Sequence, residues 1–149
     1  MKSVIFFGLI YLVVLPLLAV GCDRASSANT DSTPGYAIDL ALTDFTSSND
    51  IVKDIVVSNP GSFSVRLESN ASTGYAWGAP VIDDATILGQ GATQTETPKE
   101  TTLVGAAGAQ IFDFKTLKKG TTAITFSYSQ PWEGGQKDIY TLTINVTVK

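Results

Sequence analysis

The sequence has no histidine, one cysteine and one methionine in 149 residues. Without histidine there is no Ser-His or Cys-His dyad to activate a nucleophile, and no imidazole to ligate a metal. A single cysteine excludes an internal disulfide and a thiolate zinc cluster. Basic residues are outnumbered too, ten Lys and Arg against fourteen Asp and Glu, which leaves a net charge of −4. Nucleic-acid binding needs a basic surface that displaces counterions from phosphates, so no nucleic-acid partner is expected. The 44% of hydrophobic residues is enough for one globular core, and the length fits one domain with a short appendage.

The long apolar run is confined to the N-terminus. Lys2 is the only charge before Asp23, and Val4 to Leu18 is almost wholly apolar before Ala19-Val20-Gly21-Cys22. A positive start, an apolar centre and small residues at the end describe a secretory signal. The Cys after Gly21 resembles the lipobox of bacterial-type lipoproteins, with Ala19 where Leu is usual. An uncleaved anchor and an ordinary signal peptide are the alternatives, though Pro16 and the short apolar length weigh against a full span of about 20 residues. Residues 1–21 are therefore read as a lipoprotein signal peptide and Cys22 as the lipidation site. Residues 22–34 carry no large apolar side chain and read as a flexible tether. The expected location is outside the cytoplasm, as a membrane-anchored lipoprotein facing the periplasm or cell exterior.

Residues 35–149 have a period of two. Tyr140, Leu142, Ile144, Val146 and Val148 alternate with Thr141, Thr143, Asn145, Thr147 and Lys149. Ile124, Phe126 and Tyr128 do the same, as do Phe63, Val65 and Leu67, and Ile38, Leu40 and Leu42. Such patterns are half-buried strands. Ile51 to Val57, Tyr75 to Trp77 and Gln110 to Leu117 are further strand candidates. Turn residues at Asn59-Pro60-Gly61, Lys118-Lys119-Gly120 and Gly134-Gly135 separate the runs. The prediction is an all-β domain of about seven strands, a β-sandwich or a small barrel.

No catalytic set is present. Asp83-Asp84 reads as a solvated acidic turn, and Ser72 and Thr73 have no general base beside them. The sequons Asn70-Ala71-Ser72 and Asn145-Val146-Thr147 matter only in a glycosylating compartment. What stands out is three loops at strand ends. The first is Ser69-Asn70-Ala71-Ser72-Thr73-Gly74-Tyr75-Ala76-Trp77. The second is Val104-Gly105-Ala106-Ala107-Gly108-Ala109, poor in side chains and so able to approach another surface closely. The third is Ser129-Gln130-Pro131-Trp132-Glu133-Gly134-Gly135.

The order and spacing of these loops resemble the chagasin family of cysteine-protease inhibitors. The family's Asn-Pro-Thr-Thr-Gly-Tyr followed by Trp stands here as Asn70-Ala71-Ser72-Thr73-Gly74-Tyr75 followed by Trp77. Its Gly-x-Gly-Gly stands as Gly105-Ala106-Ala107-Gly108, and its Arg-Pro-Trp as Gln130-Pro131-Trp132. The departures are Ala71 for Pro, Ala107 for Gly and Gln130 for Arg. They free a backbone angle, add a methyl and remove a charge, in that order.

The resemblance implies an immunoglobulin-like β-sandwich and a reversible inhibitor of papain-like cysteine proteases, not an enzyme. It implies three loops inserted in the active-site cleft. Asn70, Ser72, Thr73, Gly74 and Tyr75 would form the wedge, Gly105, Ala106, Ala107 and Gly108 a clamp, and Gln130, Pro131 and Trp132 an anchor. Tyr75 and Trp77 would brace the wedge from the strand. A monomer is expected, with no cofactor, no metal, and contact with the membrane through a lipid only. The alternative is a surface-tethered immunoglobulin-like binding or adhesion module without inhibitory activity.

Overall fold

The computed structural model describes residues 37–98 and 105–149. The signal peptide, Cys22 and the whole tether region lie outside the described residues. Among the described residues the alternating runs become nine strands: β1 (Ile38–Leu40), β2 (Asp50–Val57), β3 (Ser62–Ser69), β4 (Ala76–Trp77), β5 (Val81–Ile82), β6 (Leu88–Glu96), β7 (Gly108–Thr116), β8 (Gly120–Ser129) and β9 (Tyr140–Val148). They pair into two sheets, one ordered β1-β3-β7-β6 and the other β2-β9-β8-β4, with β5 also on β8. Among the described residues the helical elements are two short 3-10 turns, at Leu42–Thr46 and Ala71–Thr73. The result is a sandwich, not a barrel.

The period of two decides which side chains are inside. Val65 and Leu67 of β3, Phe112 and Phe114 of β7, Ile124 and Phe126 of β8, and Leu142, Ile144 and Val146 of β9 are buried. The Phe126 ring meets Phe112 edge-on, with centroids 5.0 Å apart, and joins the two inner faces. Burying one such side chain stabilises the fold by about 1.5–3 kcal/mol. On the outside, Arg66 of β3 bonds Asp39 of β1 at 3.0 Å and Glu96 of β6 at 2.8 Å, spanning the first sheet. Partial burial opposes the Arg66 charge, but the two carboxylates outweigh it through hydrogen bonds and charge, so its pKa is raised.

Three elements, the first 3-10 turn, β6 and β5, differ from the sequence reading, and the described strands number nine where about seven are predicted. Leu42 does not continue β1. The Asp44 carboxylate accepts the Ala41 N–H at 2.8 Å while the Asp44 N–H bonds the Ala41 carbonyl at 3.1 Å, and this turns the chain into the first 3-10 turn. That turn delivers Phe45 to the core, 1% exposed. The second difference is β6, whose Gly89, Gly91 and Gln/Thr run shows no apolar alternation because most of the strand is exposed. It is held by its backbone ladder to β7, with a bulge between Gln90 and Thr93. β5 continues the line of β4 along β8 after Gly78-Ala79-Pro80.

Candidate functional site

Strand register brings the three loops to one end. Ser69, the last residue of β3, pairs with Gly108, the first of β7. Loop 1 therefore leaves the first sheet beside the point where loop 2 enters it. Ala76, the first residue of β4, pairs with Ser129, the last of β8. Loop 1 therefore joins the second sheet beside the start of loop 3. Loop 1 crosses between the sheets with loop 2 at one foot and loop 3 at the other.

Asn70 builds loop 1 and ties it to loop 2. Its Oδ1 accepts the Ser72 N–H at 3.2 Å and the Ser72 hydroxyl at 2.6 Å, capping the 3-10 turn. Its Nδ2 donates to the Gly105 carbonyl at 2.9 Å. The Thr73 hydroxyl donates to the Asn70 carbonyl at 2.6 Å. Both tip hydroxyls thus donate inward and present their acceptor lone pairs outward. Gly74 ends the turn in the left-handed region, at φ 80°. Ala71 lies within the 3-10 turn without proline, because Asn70 supplies the cap. Between loops 1 and 2 lies a cavity of about 190 Å³, lined in part by Ala71, Ser72, Pro98 and Ala106. Ala107 in loop 2 is only partly exposed, and Gly108 belongs to β7.

Loop 3 rests on loop 1. A side chain at Gly74 would place its Cβ 2.5 Å from Cη2 of Trp132, so the indole occupies the space that the glycine leaves. Trp132 nevertheless remains 50% exposed. Gln130 turns into its own loop: its Oε1 accepts the Gln136 N–H at 3.0 Å, and its N–H donates to the Gln136 carbonyl at 2.8 Å. Pro131 is exposed between them. Gln130 carries no charge, but the Lys137 ammonium bonds the backbone carbonyls of Gln130 and Trp132 and keeps a cation in the loop.

An aromatic stack supports this end from below. Tyr75 stacks on Tyr128 at 5.7 Å and its hydroxyl bonds the Gln136 side-chain oxygen, joining loops 1 and 3. Tyr128 lies 5.0 Å from Trp77, and Phe45 lies 5.5 Å from Trp77 and 4.9 Å from Tyr140. The Tyr128 hydroxyl accepts the Asn70 N–H at 3.1 Å. Trp77 is buried, and its indole N–H donates to the Glu68 carbonyl at 2.8 Å. The Gln110 side chain then clasps the sheets, accepting the Trp77 N–H at 2.8 Å and donating to the Trp77 carbonyl at 3.0 Å.

The structure thus gathers Asn70, Ser72, Thr73, Gly74, Gly105 and Trp132 in one place, with Tyr75 beneath them as a brace. Gln110, Tyr128, Gln136 and Lys137 were not legible as members of this arrangement. Each reads in the sequence as an ordinary strand or turn residue, and only the three-dimensional pairing reveals it. Among the described residues no group of acids or thiols could hold a metal ion. The arrangement offers a shaped, stiff edge and no reacting group.

Comparisons with known proteins identify the family. The curated protein Amoebiasin-2 of Entamoeba histolytica is 36% identical over 85 residues, which cover 57% of this chain and 68% of that protein. The crystal structure of the cysteine protease inhibitor EhICP2 from Entamoeba histolytica is similar, with a TM-score of 0.59 and 28% identity over 78% of this chain and all of that one. The fold of PbICP-C, solved in complex with falcipain-2, is similar at a TM-score of 0.51 and 20% identity, over 67% of this chain and 89% of that one. Residues 56–146 match the family described as "Chagasin family peptidase inhibitor I42", which takes in β3 to β8, most of β9 and all three loops. The chain belongs to the chagasin family of peptidase inhibitors.

Proposed function

We propose that the domain inhibits papain-like cysteine proteases reversibly, one enzyme per monomeric domain, by seating loop 1 in the active-site cleft with loops 2 and 3 on its two sides. The observation that carries this reading is the position of loop 1. It bridges the two sheets, is tied to Gly105 on one side and props Trp132 on the other. A relative solved in complex with falcipain-2 supports the choice of partner.

A papain-like site holds a thiolate and an imidazolium at the floor of a cleft. The chemistry on loop 1 suits that floor. Ser72 and Thr73 donate to Asn70 and direct acceptor lone pairs outward, where the imidazolium and the cleft's N–H groups are donors. Pairing them avoids the cost of burying polar groups without partners. Trp132 adds apolar area at the side of the wedge, and a Trp at the centre of an interface commonly contributes 2 kcal/mol or more, about 30-fold in affinity. Because the tips are already ordered, docking loses little conformational entropy.

Titrating an active papain-like protease with residues 35–149 tests the reading. The expected result is reversible, one-to-one loss of activity, with a serine protease unaffected. Several papain-like enzymes left untouched at micromolar concentration would favour the adhesion module instead. The N-terminal motif supports export and lipidation at Cys22, with the domain facing the periplasm or cell exterior. Metabolic labelling with a fatty-acid analogue is expected to mark the wild-type chain and to be lost in Cys22→Ser.

A further inference from the structure

We propose that Lys137 is a positioning residue for Trp132, holding loop 3 in the posture that leaves the indole seated on loop 1 and half free. The inference rests on the three-loop reading above. Between Trp132 and Lys137 the chain runs Glu133-Gly134-Gly135-Gln136, two adjacent glycines whose one internal closure among the described residues is a 3.3 Å bond from the Gly135 N–H to the Trp132 carbonyl. The Lys137 ammonium crosses that gap. It donates to the Trp132 carbonyl at 2.9 Å and to the Gln130 carbonyl, gripping the backbone on both sides of Pro131.

The stem that carries the ammonium is itself fixed at both ends. On one side, Gln136 exchanges two backbone-directed bonds with Gln130. On the other, Asp138 adopts φ 52°, and its N–H donates to the Ser129 hydroxyl at 2.8 Å. The nearby carboxylates on the loop, Glu133 and Asp138, are exposed, and neither is in an ion pair with Lys137 among the described residues. The ammonium therefore serves the two carbonyls, and charge-assisted bonds of this kind are stronger than neutral ones.

The consequence is kinetic. If the bridge is lost, loop 3 spends only part of its time in the competent posture, and apparent affinity falls by that fraction. The loss appears in association. Once Trp132 is seated against an enzyme, the enzyme holds the loop, so dissociation changes little. A residue touching the enzyme directly would instead act on dissociation.

The experiment is a double-mutant cycle of Lys137→Met with Trp132→Ala, read by association and dissociation rates, with Lys137→Arg as rescue. The expected result is an association rate about tenfold lower for Lys137→Met, an unchanged dissociation rate, and recovery in Lys137→Arg. In the Trp132→Ala background, Lys137→Met should add less than about twofold. All variants should melt within about 2 °C of wild type, since the site is an exposed loop. A full effect of Lys137→Met in the Trp132→Ala background, or faster dissociation, would mean direct contact with the enzyme and overturn the proposal.

A second readout uses the free domain. The heteronuclear NOE of the Trp132 indole N–H should fall in Lys137→Met and stay high in Lys137→Arg. An equally ordered indole in Lys137→Met refutes the proposal even if no protease is inhibited. If the wild-type domain fails to inhibit while the NOE falls as expected, the three-loop reading fails and the positioning role stands.

Discussion

At the end of the sandwich away from the loops, the buried Thr116 hydroxyl lies 3.1 Å from the Ser58 carbonyl and 3.0 Å from that of Gly61. The Thr116 N–H bonds the same Gly61 carbonyl at 2.9 Å, and the Asn59 N–H reaches the Lys149 carbonyl at 2.9 Å. That end closes mainly onto backbone carbonyls, with the Thr116 hydroxyl also 3.2 Å from the Asn59 side-chain oxygen. The loop end is closed by side chains reaching up from the strands and in from the turns: Asn70, Gln110, Tyr128, Gln136 and Lys137. The difference has a purpose in physical terms. Bonds onto backbone carbonyls tie a turn directly to the strand ends. Side-chain closure holds a loop by its stem, and Trp132 beyond that stem is half exposed.

Substitutions at the two ends should therefore separate binding from stability. The largest effect is expected from Gly74→Val. It forces a branched residue to φ 80° and drives a Cβ into the Trp132 ring, so inhibition should weaken on the order of 100-fold, from backbone strain of about 1–3 kcal/mol and a displaced anchor. Trp132→Ala should weaken inhibition at least tenfold, about 1.4 kcal/mol or more, with little change in melting temperature. Either variant inhibiting like wild type would break the comparison.

Gln110→Ala addresses the seam between the two sheets at the loop end. It strips partners from the Trp77 N–H and carbonyl and should cost about 2 kcal/mol in denaturant unfolding, with a smaller loss of inhibition. Thr116→Val at the far end should cost about 1 kcal/mol and leave the inhibition constant unchanged. A parallel loss of inhibition there would show that the ends are coupled through the core.

The smallest effect concerns pH. The Asp84 carboxylate accepts the Thr86 hydroxyl and N–H, and these bonds lower its pKa. A depressed carboxylate contributes stability above its ordinary pKa and loses it as pH falls through the lowered value. Asp84→Asn should slightly flatten the acid side of the stability profile, measured by thermal melts from neutral pH downward, without altering inhibition at neutral pH.

Legibility in the sequence followed burial. The inner strands β3, β8 and β9 are half buried, so their alternation was plain, and the core residues Val65, Phe126 and Ile144 could be read off directly. The edge strand β6 was not legible because a ladder of backbone bonds leaves no trace in side-chain pattern. The wedge residues Asn70 to Tyr75 were visible through their motif. Its supports were not: Phe45 arrives from a turn 25 residues before Asn70, and Gln110 acts on a strand of the other sheet. Gln130 was expected to change the charge offered to a partner. The structure adds that its side-chain oxygen is engaged within the loop, which residue identity alone does not carry.

The fit of the Trp132 indole into the space over Gly74 also constrains engineering. A designer who transplants the Gln130-Pro131-Trp132 segment onto a foreign scaffold moves the ring without its seat. The recipient needs a bare backbone at the matching spot, or the ring will tip outward and the graft will be sticky rather than selective.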